Sequence, residues 1–157
     1  MPQGGGGARD KALKALGRRD MSRREIIGKL VSSGASEEEA GAAADWLEGR
    51  GFIDDGRYAQ SVARRYAGRG YGEGRIRDEL RRRGVSEELW EAAMASAPVP
   101  EGAAYEFYKA RRRASRAGDE GGAAERRLSQ AMHRRGFSWD EIMRARDRYG
   151  AETEETD

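Results

Sequence analysis

Ile76-Arg77-Asp78-Glu79-Leu80-Arg81-Arg82-Arg83-Gly84-Val85-Ser86 is the stretch on which the fold turns, because its spacing occurs three times in the chain. Another copy carries Ile26, Leu30, Gly34, Ala35 and Ser36, and the last carries Leu128, Met132, Gly136, Phe137 and Ser138. Intervals inside each copy are identical, and the copies stand about fifty residues apart. Apolar residues at i and i+4 share one face of a helix. Glycine four residues further on suits the left-handed conformation that ends a helix, which other residues adopt only at a cost. The next residue can fold back onto that helix, and the serine after it can cap a new one by accepting a free backbone N–H. Glu39 and Glu141 complete capping boxes with Ser36 and Ser138, and Ser22 pairs with Glu25 in the same way. Ser86 lacks such a partner, since Leu89 holds the position.

The unit is therefore helix, Gly-x-Ser turn, helix. Ala40, Trp90 and Ile142 supply an apolar residue four places after each capping serine. A further helix precedes each pair: near 8–16 in the first, after Asp54 or Asp55 in the second, and after Pro100 and Glu101 in the third. Tyr58, Val62 and Tyr66 line one side of the second of these helices, and Tyr105 and Tyr108 mark the third. Strand signals are missing, with few β-branched residues and no alternating runs. The pattern predicts an all-α chain, an elongated tandem array of three three-helix repeats at 8–50, 51–97 and 98–150. Disordered tails are expected at 1–7 and, with an acidic character, at 151–157. Ala97-Pro98-Val99-Pro100 reads as a linker, Gly70-Tyr71-Gly72-Glu73-Gly74 as a glycine-rich turn, and 117–122 as the least regular stretch inside the repeats.

Composition agrees with slender helical modules. Only 37% of the 157 residues are hydrophobic, 37% are charged, and mean hydropathy is −0.95, which disfavours one thick core. Three Trp, six Tyr and three Phe argue against wholesale disorder. Without Cys, disulfides and thiolate metal sites are excluded. No apolar leader or membrane-length stretch is found, so a cytoplasmic protein without membrane contact is expected. Thirty basic and 28 acidic side chains nearly balance, but their distribution is uneven. Nine arginines between Arg57 and Arg83 meet only Glu73, Asp78 and Glu79, and nine bases from Lys109 to Arg135 meet only Asp119, Glu120 and Glu125. Arginine suits two-pronged contact with phosphate or carboxylate, although a genome-wide codon preference produces the same bias.

Two stretches carry a family resemblance. Gly51-Phe52-Ile53-Asp54-Asp55-Gly56-Arg57-Tyr58-Ala59 and Gly70-Tyr71-Gly72-Glu73-Gly74-Arg75-Ile76-Arg77-Asp78-Glu79-Leu80 resemble the two hallmark segments of the RecX family, modulators of the bacterial recombinase RecA. Arg18 to Glu25 and Arg134 to Ser138 are similar to further family positions, and the likeness covers roughly 9–149. Glu73-Gly74 stands where the family often has Pro, which predicts a softer entry into the following helix. The resemblance implies a non-catalytic regulator that binds RecA and its filaments on single-stranded DNA. Such a protein inhibits filament extension, ATP hydrolysis and strand exchange in recombination, DNA repair and the SOS response. It also implies a monomer, with weak direct DNA contact as an option.

Candidate binding residues come from the arginines that their own helices leave unneutralised. Arg64, Arg65 and Arg69, and likewise Arg111, Arg112 and Arg113, have no acid three or four residues away within the helix. Such clusters repel themselves unless an anionic surface, or acids from other helices, meets them. Arg75, Arg81 and Arg82 join the candidates, although Asp78 and Glu79 can pair locally with Arg82 and Arg83. A direct nucleic-acid binder is the competing reading, since helix, turn, helix with arginine stripes can enter a groove.

No cofactor or metal site is expected. His133 is the lone histidine, with no clustered ligands, and is read as an exposed helix residue. Gly70-Tyr71-Gly72 lacks the Lys-Ser/Thr of a phosphate loop and is read as a structural turn. Asp54 and Asp55 are explained by capping, and Trp46, Trp90 and Trp139 by the core. No nucleophile–base pair is found, so no enzymatic activity is expected.

Overall fold

The computed structural model describes residues 4–115 and 121–156. Among them are nine α-helices and no strand: α1 (Gly4–Leu16), α2 (Arg23–Ser32), α3 (Glu37–Gly49), α4 (Asp55–Gly68), α5 (Glu73–Arg82), α6 (Trp90–Ser96), α7 (Ala103–Ala114), α8 (Gly122–Arg134) and α9 (Trp139–Glu154). A 3₁₀ turn at Glu87–Leu89 leads into α6.

Each repeated glycine turn forms as its spacing requires. Gly34, Gly84 and Gly136 have φ of 106°, 73° and 102°. The residue after each glycine returns its N–H to the helix it has left: Ala35 to Leu30 at 3.0 Å, Val85 to Leu80 at 3.0 Å, Phe137 to Met132 at 3.1 Å. Serine caps follow. Ser36 and Ser138 make reciprocal boxes with Glu39 and Glu141. Ser86 makes no side-chain cap bond, and there the chain enters its helix through the 3₁₀ turn. Asp54 resolves the start of α4: its carboxylate accepts the Arg57 N–H at 3.0 Å, while Asp55 is already helical.

The helices assemble into two compact units, Met1–Val62 with Glu79–Ala93, and Ala63–Asp78 with Met94–Asp157. This division runs through α4 and α5, so the second repeat contributes to both. In the first unit α1 packs on α2 and α3 around Ala12, Ile26, Leu30, Ala40 and Leu47. Small alanines on α1 and α3 let these helices approach closely. In the second unit α7 packs on α8 and α9 around Tyr105, Tyr108, Met132, Phe137 and Ile142.

The ends differ from expectation. Of the tails expected to be disordered, 1–3 and 157 lie outside the described residues, while α1 begins at Gly4 and α9 continues to Glu154. At the C-terminal end the acids have partners that composition conceals: Glu152 pairs with Arg148 at 3.0 Å and accepts the Tyr105 hydroxyl. In the added turn at Gly4 each glycine costs about 1 kcal/mol relative to alanine. Residues 117–120 of the expected irregular stretch lie outside the described residues, and Gly122 already opens α8.

Candidate partner-binding surface

Within each unit, the start of one repeat's middle helix is fastened to the Gly-x-Ser turn of the next repeat. In the first unit the Ser22 hydroxyl accepts the Glu25 N–H at 3.1 Å and donates to the Arg83 carbonyl. The Arg23 N–H donates to Asp55 at 2.9 Å, and its guanidinium holds Asp45 at 2.7 Å and Glu48 at 2.6 Å. Tyr58 donates to Glu25 at 2.9 Å and accepts from Arg83 at 2.8 Å. Arg83 also pairs with Glu79 at 3.3 Å, which is only 7% exposed. Glu25 thus bridges Tyr58 and Arg19 instead of closing the expected box. Desolvation raises the Asp55 carboxyl above its ordinary range against the Arg23 N–H, and burial raises the Tyr58 phenol.

The second unit repeats this joint with glycine in place of serine. Gly72 and Gly74 donate their N–H groups to the carbonyls of Arg135 and Gly136, each at 3.0 Å. A Cβ on Gly72 would stand 2.3 Å from the Gly136 oxygen, so only glycine fits without a shift. The Arg135 guanidinium reaches back to the carbonyls of the turn just past α4, donating to Arg69 at 2.6 Å and Gly70 at 3.2 Å. A cation there meets the negative end of the helix. Its faces lie against aromatic rings, with Tyr71 at 4.1 Å and Phe107 at 4.8 Å. Gly70-Tyr71-Gly72 is thus part of a joint, and Tyr71 packs edge-on against Tyr66 of α4 at 5.2 Å.

Against these joints the nine candidate arginines separate. Arg64 and Arg65 on the last turns of α4, and Arg69 in the turn just after it, are exposed, and none forms an ion pair among the described residues. Arg113 is also exposed and without an ion pair among them. Arg111 lies 5.1 Å from Phe107, and Arg112 is half-buried 6.0 Å from Tyr149. Both line a groove of about 410 Å³ with Arg127 and Leu128. Arg75 is half-buried over Tyr66 and Tyr71, at 5.7 and 5.5 Å. In the first unit Arg81 covers Trp90 at 5.1 Å and Arg82 pairs with Glu79 at 3.4 Å. The strongest outward-facing set is Arg64, Arg65 and Arg69.

Sequence reasoning missed Arg83 and Arg135, whose roles depend on residues 25 to 66 positions away. Their shared place before the turn glycine is the one signal that could have found them. Trp139 is a correction. Expected in the core, it is 51% exposed and stacks on His133 at 4.5 Å, because the capping serine beside it turns the first helical residue outward. Trp90 is buried and donates its indole N–H to Val85 at 3.0 Å. No helix among the described residues is long and apolar enough to cross a membrane.

The first two repeats match known domains. A family model described as RecX, first three-helix domain, matches residues 8–47, and one described as RecX, second three-helix domain, matches 54–94. The regulatory protein RecX of Stenotrophomonas maltophilia is 38% identical over 137 residues, covering 86% of this chain and 82% of that protein. The chain belongs to the RecX family. Regulatory protein RecX of Xanthomonas oryzae pv. oryzae is 45% identical over 86 residues, and here the match spans 55% of this chain and only 54% of the relative. The crystal structure of RecX from Lactobacillus salivarius superposes with a TM-score of 0.77 over 94% of this chain and 97% of that one. Its 20% identity makes this a likeness of fold. These relatives are named as regulatory proteins, and the hallmark residues Asp55, Tyr58 and Gly72 serve joints in this fold.

Proposed function

We propose that this chain is a cytoplasmic, monomeric, non-catalytic regulator of the RecA recombinase. It binds RecA and its filaments on single-stranded DNA, and restrains filament extension, ATP hydrolysis and strand exchange. The observation that carries this reading is the exposed group of Arg64, Arg65 and Arg69 at the end of α4, where Arg135 clamps the turn just past the helix. Guanidiniums without internal partners fit a surface lined with carboxylates, and their fixed helix spaces them for a repeating protein lattice. Arg75, Arg111, Arg112 and Arg113 of the second unit, and Arg81 and Arg82 of the first, are further candidate contacts.

The test is RecA ATPase on single-stranded DNA with and without the protein. Wild type is expected to suppress hydrolysis, and the combined Arg64→Glu, Arg65→Glu and Arg69→Glu variant to need about tenfold or more protein for equal effect, with unchanged helicity. Undiminished inhibition by the folded variant removes these residues from the site. Binding to DNA without RecA, with a steep loss of affinity in salt, would replace this reading with a direct nucleic-acid binder.

A further inference from the structure

The first unit carries another surface, built around Trp46. This indole sits on α3, half-buried against the core of α1 to α3. Arg9 from α1 and Arg50, one turn after Trp46, hold their guanidinium carbons 4.6 and 4.7 Å from the ring centroid. Phe52 stacks on the same indole, with centroids 6.1 Å apart and planes at 24°. The turn explains how Phe52 arrives there: Gly51 has φ of 76°, and the Phe52 N–H returns to the Leu47 carbonyl at 2.9 Å. It does not account for what stays open. Phe52 is 52% exposed, and neither Arg9 nor Arg50 forms an ion pair among the described residues.

Asp10, next to Arg9 on α1, forms no ion pair with it, and the acids of α3 are committed or distant. Asp45 and Glu48 both hold Arg23. Glu37, Glu38 and Glu39 begin α3, roughly 16 to 20 Å from Arg50 at 1.5 Å per residue. The patch is thus aromatic at its centre and positive at its rim. Aromatic rings and arginine are the groups that dominate binding energy at protein interfaces. A guanidinium held over an indole keeps its edge N–H donors available, and a carboxylate can take two of them at once.

We infer that Arg9, Trp46, Arg50 and Phe52 form a second docking surface, which takes an acidic segment of a partner protein. An apolar side chain of that segment lies on the open face of Phe52, and its carboxylates meet Arg9 and Arg50. A wholly apolar partner would bury two unpaired cations, and a second copy of the patch would oppose four of them. The partner's identity as a RecA filament rests on the function proposed above. The chemistry of the surface does not.

The experiment places the photo-cross-linker p-benzoylphenylalanine at position 52 of the full chain, bound to RecA on single-stranded DNA. A cross-link to a RecA segment rich in Asp and Glu is expected. Cross-links to DNA, to a second copy or to residues 1–7 of the same chain, or none while inhibition persists, overturn the inference. The Arg9→Glu, Arg50→Glu double variant, at unchanged helicity and melting temperature, is expected to lose the cross-link and about tenfold of its inhibition. If wild type leaves the RecA ATPase untouched, the regulatory reading fails and the surface is judged alone. A fluorescent peptide alternating Glu and Leu is then titrated onto the chain. Binding by wild type that the double variant loses sustains the docking surface, and no binding overturns it.

Discussion

A single methyl group separates the glycines that hold this fold from those that merely occupy it. At Gly136 a Cβ would lie 2.3 Å from the Arg75 amide nitrogen, in a backbone region that disfavours side chains. At Gly72 the obstacle is the Gly136 carbonyl at the same distance. Both obstacles are backbone, so they cannot swing aside. Gly136→Ala and Gly72→Ala are each expected to destabilise by about 2–4 kcal/mol in urea titrations. Gly28 is the control: it lies inside α2, and its Cβ would meet nothing within 4 Å. Gly28→Ala is expected to stabilise by about 0.5–1 kcal/mol. The sequence marks Gly136 through its repeat spacing and Gly72 as part of a glycine-rich turn, but not the close approach at Gly72, because that depends on which distant backbone arrives.

Helix ends test the reading of the elements. Ser36→Ala and Ser138→Ala each remove one side of a capping box and are expected to cost about 1 kcal/mol in thermal melts. Ser22→Ala is expected to cost more, since this buried hydroxyl also loses the Arg83 carbonyl in the first joint. Ser86→Ala should be nearly neutral, because Ser86 makes no side-chain cap bond. Equal losses at all four positions would sink this ranking. The capping serines are legible from the sequence, since the acid three residues on announces the box. That Glu25 turns away to Tyr58 and Arg19 is not, because those partners come from outside the helix.

On the scale of the molecule, the core of the second unit has its own alkaline limit. Tyr108 donates to Glu125 at 3.0 Å, and burial first, then that carboxylate, pushes its phenol up to about 12. The unfolded phenol ionises near 10, so between there and about 12 the folded state retains a proton that the unfolded state has released. Stability from this group is intact below that window and falls as pH rises through it. Wild type should therefore lose stability across it faster than Tyr108→Phe, with tyrosinate absorbance showing one fewer late-titrating phenol in the variant; parallel curves would rule the effect out. Sequence alone determined the helical class, the three turns and the positions of most caps, because each is decided by residues within one or two turns of chain. It also marked Arg64, Arg65 and Arg69, whose lack of acids is a local fact that the fold leaves unchanged. Only tertiary structure decided that Arg83 and Arg135 fasten joints, that Arg75 and Arg81 lie on rings, and that Trp139 faces solvent. A long cationic side chain can reach many carbonyls, rings and carboxylates, and which one it meets depends on chain segments brought near by packing rather than by sequence order.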